Sequence, residues 1–153
     1  MKSRLLKQRG LKVKEKLSDF KLCSFNSKIE SEKYFQLSGL DKVLGVEGKC
    51  LNNDKTVDPD YKIPYGVDIS DLARIHWICL NRKTTQVLEF GSGYSTLVLA
   101  HAMSQLRSEH LSWVESNTRL KNPFKVYSIE ESAEFSEITN SRLGDYKRFV
   151  DLS

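Results

Sequence analysis

The run VLEFGSGYSTLVLA, Val87 to Ala100, constrains the fold more than any other part of the chain. An apolar segment carrying one acid breaks into a glycine turn and resumes as an apolar, helix-compatible segment. Val87, Leu88 and Phe90 predict a short buried strand, and Gly91 and Gly93 let the backbone turn sharply and approach a ligand with no Cβ in the way. Ser95 and Thr96 stand where a helix would start, with hydroxyls available to its free N–H groups and the positive end of its dipole facing the turn. Strand, acid, glycine turn and helix in that order form a nucleotide-cofactor cradle.

The details of the pattern select among cofactors. A dinucleotide fingerprint places a third glycine at position 96, where this chain has Thr96, and needs no acid just before the turn. Here Glu89 stands two residues before Gly91. A carboxylate at that point suits a ligand with an ammonium or sulfonium end and would repel a pyrophosphate. At these residues the chain resembles the first motif of class I S-adenosylmethionine-dependent methyltransferases, an acid followed by Gly-x-Gly-x-Gly, with Ser95 in place of the last glycine. The resemblance implies an α/β, Rossmann-like methyltransferase fold on a parallel sheet. It also implies S-adenosylmethionine as the small-molecule cofactor, held by Glu89, Gly91, Ser92, Gly93, Ser95 and Thr96.

VYSIEE, Val126 to Glu131, reads as the second strand. An acid at the tip of that strand can accept hydrogen bonds from both ribose hydroxyls, because a carboxylate offers two oxygens to two donors. Glu130 is the expected ribose ligand, with its neighbour Glu131 as the alternative. The spacing from Gly93 exceeds the ~20 residues usual in a dinucleotide unit, and the surplus falls in Ser108 to Lys125, which reads as an inserted loop.

Upstream, Val46 to Tyr65 runs VEGKCLNNDKTVDPDYKIPY into a helical stretch. Similar methyltransferases carry a Pro-aromatic segment and a helix just before the first motif. Asp68 can cap that helix, and Ile69, Leu72, Ile75 and Ile78 or Cys79 recur at helical spacing, a stripe expected to pack on the sheet. The predicted order is helix 68–82, strand 86–90, helix 95–107, loop 108–124, strand 125–130, helix 132–143 and an opening third strand at Tyr146 to Leu152. Residues 1–45 form a polar, helical N-terminal extension, and 46–153 a partial cofactor-binding domain.

At 39% apolar and 29% charged residues, the 153-residue chain has the composition of one soluble globular domain. The net charge of +4 is concentrated in Met1 to Lys16, where seven Lys or Arg face one acid. Such an arm could bind nucleic acid or an anionic membrane, but a charge run without aromatics is more simply a solvated helix or tail. The basic start leads into no sustained apolar region, and no stretch approaches the ~20 apolar residues that span a bilayer. Cys23, Cys50 and Cys79 show no C-x-x-C pair, so they read as reduced thiols in a cytoplasmic protein, Cys79 in the core. His76, His101 and His110 lack metal-ligand spacing; the expected metal set is none, and His76 and His101, within predicted helices, read as satisfied surface or interface residues.

A βαβ unit takes ~30 residues or more, so Val87 to Ser153 holds two strand-helix units and the start of a third. The resembled family uses seven strands, with its substrate-side motif after the fourth. The expectation is therefore an incomplete sheet of two or three strands: a fragment, a shortened frame, or a chain whose sheet is completed by self-association or a partner. No catalytic residue or methyl acceptor is assignable. Two alternatives stand beside the methyltransferase reading: a non-catalytic, truncated Rossmann-like interaction protein, and a dinucleotide-binding oxidoreductase.

Overall fold

The computed structural model describes residues 16–44 and 68–153. The basic arm up to Glu15, the Val46 to Tyr65 segment and Cys50 lie outside the described residues.

The N-terminal elements are short 3-10 turns at Leu17–Asp19 and Leu22–Asn26, then α1 (Lys28–Ser38) and α2 (Leu40–Val43). The Ser27 hydroxyl accepts from the Glu30 N–H at the start of α1, and Gly39 ends it with φ 81°, a left-handed conformation that costs glycine nothing. Phe20, Phe25, Tyr34, Phe35 and Leu40 are buried and pack with Ile69, Leu72, Ala73 and Val98. The extension thus has its own aromatic core, shared with the helices that follow.

α3 (Ile69–Arg82) begins as the sequence predicts, with the Asp68 carboxylate accepting from the N–H groups of Ser70 and Asp71 at 2.8 and 3.2 Å. Its buried residues are Ile69, Leu72, Ala73, His76 and Cys79; Ile78 points outward. The stripe does not take the sheet as its main partner, however. α3 packs on α1 and on α4 (Tyr94–Asn117), because α4 already occupies the face of the sheet.

β1 (Gln86–Phe90), β2 (Lys125–Ile129) and β3 (Val150–Leu152) form a parallel sheet in that spatial order, with Glu89 opposite Ser128 and Phe90 opposite Ile129. The strands advance in one direction, the order that right-handed crossovers on one face produce; α4 packs on β1 and β2 there, and α5 (Ala133–Arg142) packs against α4. Val126 and Ser128 are fully buried on that face. Leu88, Phe90 and Ile129 point the other way and are 59%, 79% and 47% exposed. The architecture is therefore mixed α/β, with a parallel sheet that the described helices cover on one face.

Two elements differ from expectation by more than a residue. The predicted loop 108–124 is helical as far as Asn117, because Met103, Leu106, His110 and Val114 continue one helical face and Val114 is buried among the core residues. The third strand is confined to Val150–Leu152; Gly144–Phe149 forms a 3-10 turn that buries Phe149. Among the described residues no helix is long and apolar enough to cross a membrane.

Candidate functional site

The site lies at the carboxyl ends of β1 and β2, where an open α/β sheet leaves a crevice between strand tips and helix N-termini. β1 ends at Phe90. The Gly91 N–H donates to the Ile129 carbonyl at 2.8 Å, extending the ladder one step, and Gly91 then turns the chain with φ 88°. That backbone angle suits only glycine without strain. Gly93 is extended, and α4 starts at Tyr94, one residue earlier than expected. A Cβ placed on Gly91 or Gly93 would have no atom within 4 Å, so the space beside the turn is open.

Glu89 faces α4 from the strand. Its Oε1 accepts from the Ser95 hydroxyl at 2.5 Å, and its Oε2 from the hydroxyls of Thr96 and Ser128 at 2.7 and 3.1 Å. The Thr96 oxygen in turn accepts from the Gly93 N–H at 3.0 Å. A chain of donors thus runs from the turn through the helix start to the carboxylate, which fixes its orientation. All three side-chain partners are neutral hydroxyls, and no ion pair involving Glu89 occurs among the described residues. Its negative charge is oriented without being neutralised.

Glu130 meets the turn from just past the end of β2. Its Oε2 accepts both the Ser92 N–H at 2.7 Å and the Ser92 hydroxyl at 2.9 Å, and its Oε1 accepts the Ser132 N–H at 3.0 Å. The Ser132 N–H, with smaller contributions from Ser92 and the Glu131 N–H, holds the carboxyl below its ordinary range; partial burial opposes this without overcoming it. Glu131, the alternative ribose ligand, is exposed.

All the residues expected at the site converge on this turn: Glu89, Gly91, Ser92, Gly93, Ser95, Thr96 and Glu130. Ser95 and Thr96 act on Glu89 and the Gly93 N–H rather than as the helix cap itself, a position Gly93 takes. Four further residues belong here and were not anticipated. Ser128 is buried where strand alternation calls for an apolar side chain, and its one hydroxyl proton is shared between two acceptors, the Gly91 carbonyl at 2.8 Å and Glu89 at 3.1 Å. Thr139 on α5 lies 3.1 Å from the Ser92 hydroxyl. The Arg142 guanidinium stacks 4.4 Å from the Tyr94 ring centroid at the start of α4. Ser128 alone left a trace in the sequence, as a hydroxyl inside an apolar strand.

The histidines correct another expectation. His76 and His101 are core residues, not surface ones: Tyr34 Oη lies 2.8 Å from His76 Nδ1, and His76 Nε2 lies 2.9 Å from His101 Nδ1. Among the described residues no group of three His, Cys, Asp or Glu side chains is placed to hold a metal ion.

No protein-family model matches this sequence, and neither a curated protein nor a solved structure matches it.

Proposed function

We propose that the chain binds S-adenosylmethionine at the Gly91–Gly93 turn, as the cofactor-binding part of a methyltransferase. The observation that carries this reading is the placement of two carboxylates at one glycine turn, Glu130 bonded to Ser92 within it and Glu89 to the helix start that follows it, with open space for a Cβ at Gly93. Glu89, oriented by hydroxyls and unpaired with any described cation, suits the ammonium or sulfonium end of the ligand. Glu130 suits the ribose diol, and the missing Cβ of Gly93 leaves the path between them clear.

When bound, the cofactor supplies an electrophilic methyl group on sulfur. The residues of the chain bind and orient it, and rate enhancement in such a transfer comes mostly from positioning. No described residue is placed as a general base. The free thiols Cys23 and Cys79 accord with a reducing, cytoplasmic setting.

The test is equilibrium binding of S-adenosylmethionine, its demethylated product and NAD to the purified chain. S-adenosylmethionine and its product binding more tightly than NAD supports the reading; the reverse order favours the dinucleotide alternative, and binding of none removes the nucleotide site.

One observation favours a second role alongside the first. Parallel strands are ordinarily covered on both faces, yet Leu88, Phe90 and Ile129 leave one face of this sheet open. That face suits association with a second copy or a partner that completes the sheet. Light scattering with and without Phe90→Lys separates an associating surface from an inert one.

A further inference from the structure

Glu130 has little room left for a diol. A carboxylate offers about four lone-pair positions, and three are filled at hydrogen-bond distance from within the chain, the Ser92 N–H and Ser92 hydroxyl on Oε2 and the Ser132 N–H on Oε1, with the Glu131 N–H a weaker influence on the same carboxylate. Two ribose hydroxyls need two positions. The backbone N–H groups of Ser92 and Ser132 are fixed by the turn and by the start of α5, so they cannot step aside without moving the chain. The Ser92 hydroxyl can. It rotates about a single side-chain bond, and the Thr139 hydroxyl already lies 3.1 Å away, donating to Ser92 while Ser92 donates to Glu130 and accepting once Ser92 turns. Thr139 is buried on α5, so its oxygen is held in place by packing.

We propose that the Ser92 hydroxyl is a built-in competitor for the ribose diol at Glu130, and that a diol-bearing nucleoside binds by turning Ser92 from Glu130 to Thr139. The inference rests on the S-adenosylmethionine reading of the turn and adds to it a side chain that tunes affinity for the ribose. A ligand with both hydroxyls replaces the bond that Ser92 gives up; a ligand lacking them leaves Ser92 where it is and gains nothing from Glu130. Glu130 therefore supplies the preference for ribose over dideoxyribose, the Ser92 hydroxyl reduces it by competing for the same carboxylate, and the exchange couples ligand binding to α5 through Thr139.

The experiment measures Kd for adenosine and 2′,3′-dideoxyadenosine with the full chain, Ser92→Ala, Thr139→Val and Glu130→Ala, with thermal melts to confirm folding. Ser92→Ala keeps the backbone N–H on Glu130 and frees one lone pair, so adenosine should bind about three- to tenfold more tightly, the range set by one net hydrogen bond. Dideoxyadenosine affinity should not change. Thr139→Val leaves the displaced hydroxyl without an acceptor and should weaken adenosine alone. Glu130→Ala should abolish the preference between the two nucleosides. Adenosine binding that is equal or weaker in folded Ser92→Ala, while S-adenosylmethionine still binds the unaltered chain, overturns the competition and leaves the cofactor reading standing. Failure of S-adenosylmethionine and adenosine alike to bind the unaltered chain overturns both.

Discussion

His76 Nε2 and His101 Nδ1 lie 2.9 Å apart with their rings stacked at 5.0 Å, joining α3 to α4 inside the core. Tyr34 extends the chain to α1, and the Tyr146 ring meets His101 edge-on. Two neutral imidazoles can share one N–H between them; two imidazoliums cannot. Burial first, and for His76 also its neighbour His101, lowers the pKa values from 6.5 to about 3 for His76 and about 4 for His101. Burial pushes the Tyr34 phenol and the Cys79 thiol up, so neither titrates in the acid range.

This pair makes stability depend on pH with a definite sign. Unfolded histidine takes up a proton near 6.5, while the folded pair resists protonation until about 4 and below. Its contribution is complete above the unfolded pKa and is lost as pH falls from there through the folded values. Thermal melting should show a midpoint that is flat from neutral to mildly alkaline pH and drops steadily below the histidine range. His101→Gln should lower the midpoint at neutral pH and flatten that drop. A midpoint independent of pH between neutrality and the folded values would contradict the arrangement.

Gly93→Val should leave the fold intact and remove cofactor binding. An added Cβ meets no protein atom within 4 Å, and φ 164° lies outside the left-handed region that only glycine adopts freely. Far-UV circular dichroism should stay native while S-adenosylmethionine affinity falls severely. Unchanged affinity would place the ligand elsewhere.

Glu130→Ala should weaken S-adenosylmethionine by about tenfold or more, since charge-assisted hydrogen bonds contribute on the order of 1.5–3 kcal/mol each at most. Glu131→Ala, at an exposed position with no role in the turn, should change affinity much less. Glu130→Ala also releases the N–H groups of Ser92 and Ser132, so a modest fall in melting temperature should accompany it. Isothermal titration and melting of both variants check this, and the opposite order of affinities would move the role to Glu131.

Leu88→Lys and Phe90→Lys should improve solution behaviour. These side chains lie on the open face of the sheet, and β1 is an edge strand, a combination that favours association. Size-exclusion chromatography and a hydrophobic dye should show the unaltered chain self-associating and binding dye, and both signals falling in the variants. A monomer that binds no dye and melts cooperatively would argue that the face is stable in water as it stands.

Local signals were sufficient where one short segment sets its own conformation. The strand-turn-helix of Val87 to Ala100 is legible because apolar residues, an acid and two glycines follow each other directly, and the Asp68 cap is legible because its hydrogen bonds reach only to Ser70 and Asp71. Glu130 could be placed at the tip of the second strand for the same reason. The helix through Ser108–Asn117 was hidden by polar composition, since its only strongly buried residue is Val114, and that residue earns its meaning from the core it meets. Partners across the fold left almost no trace: Ser92 with Thr139, Glu89 with Ser128 and His76 with His101 are 47, 39 and 25 residues apart. Such pairs depend on how two elements lie against each other, and no periodicity along the chain encodes that distance. The open face of the sheet is of the same kind: the alternation of Leu88 and Phe90 with Val87 and Glu89 marks two faces, but which one α4 covers follows from the handedness of the crossover in three dimensions.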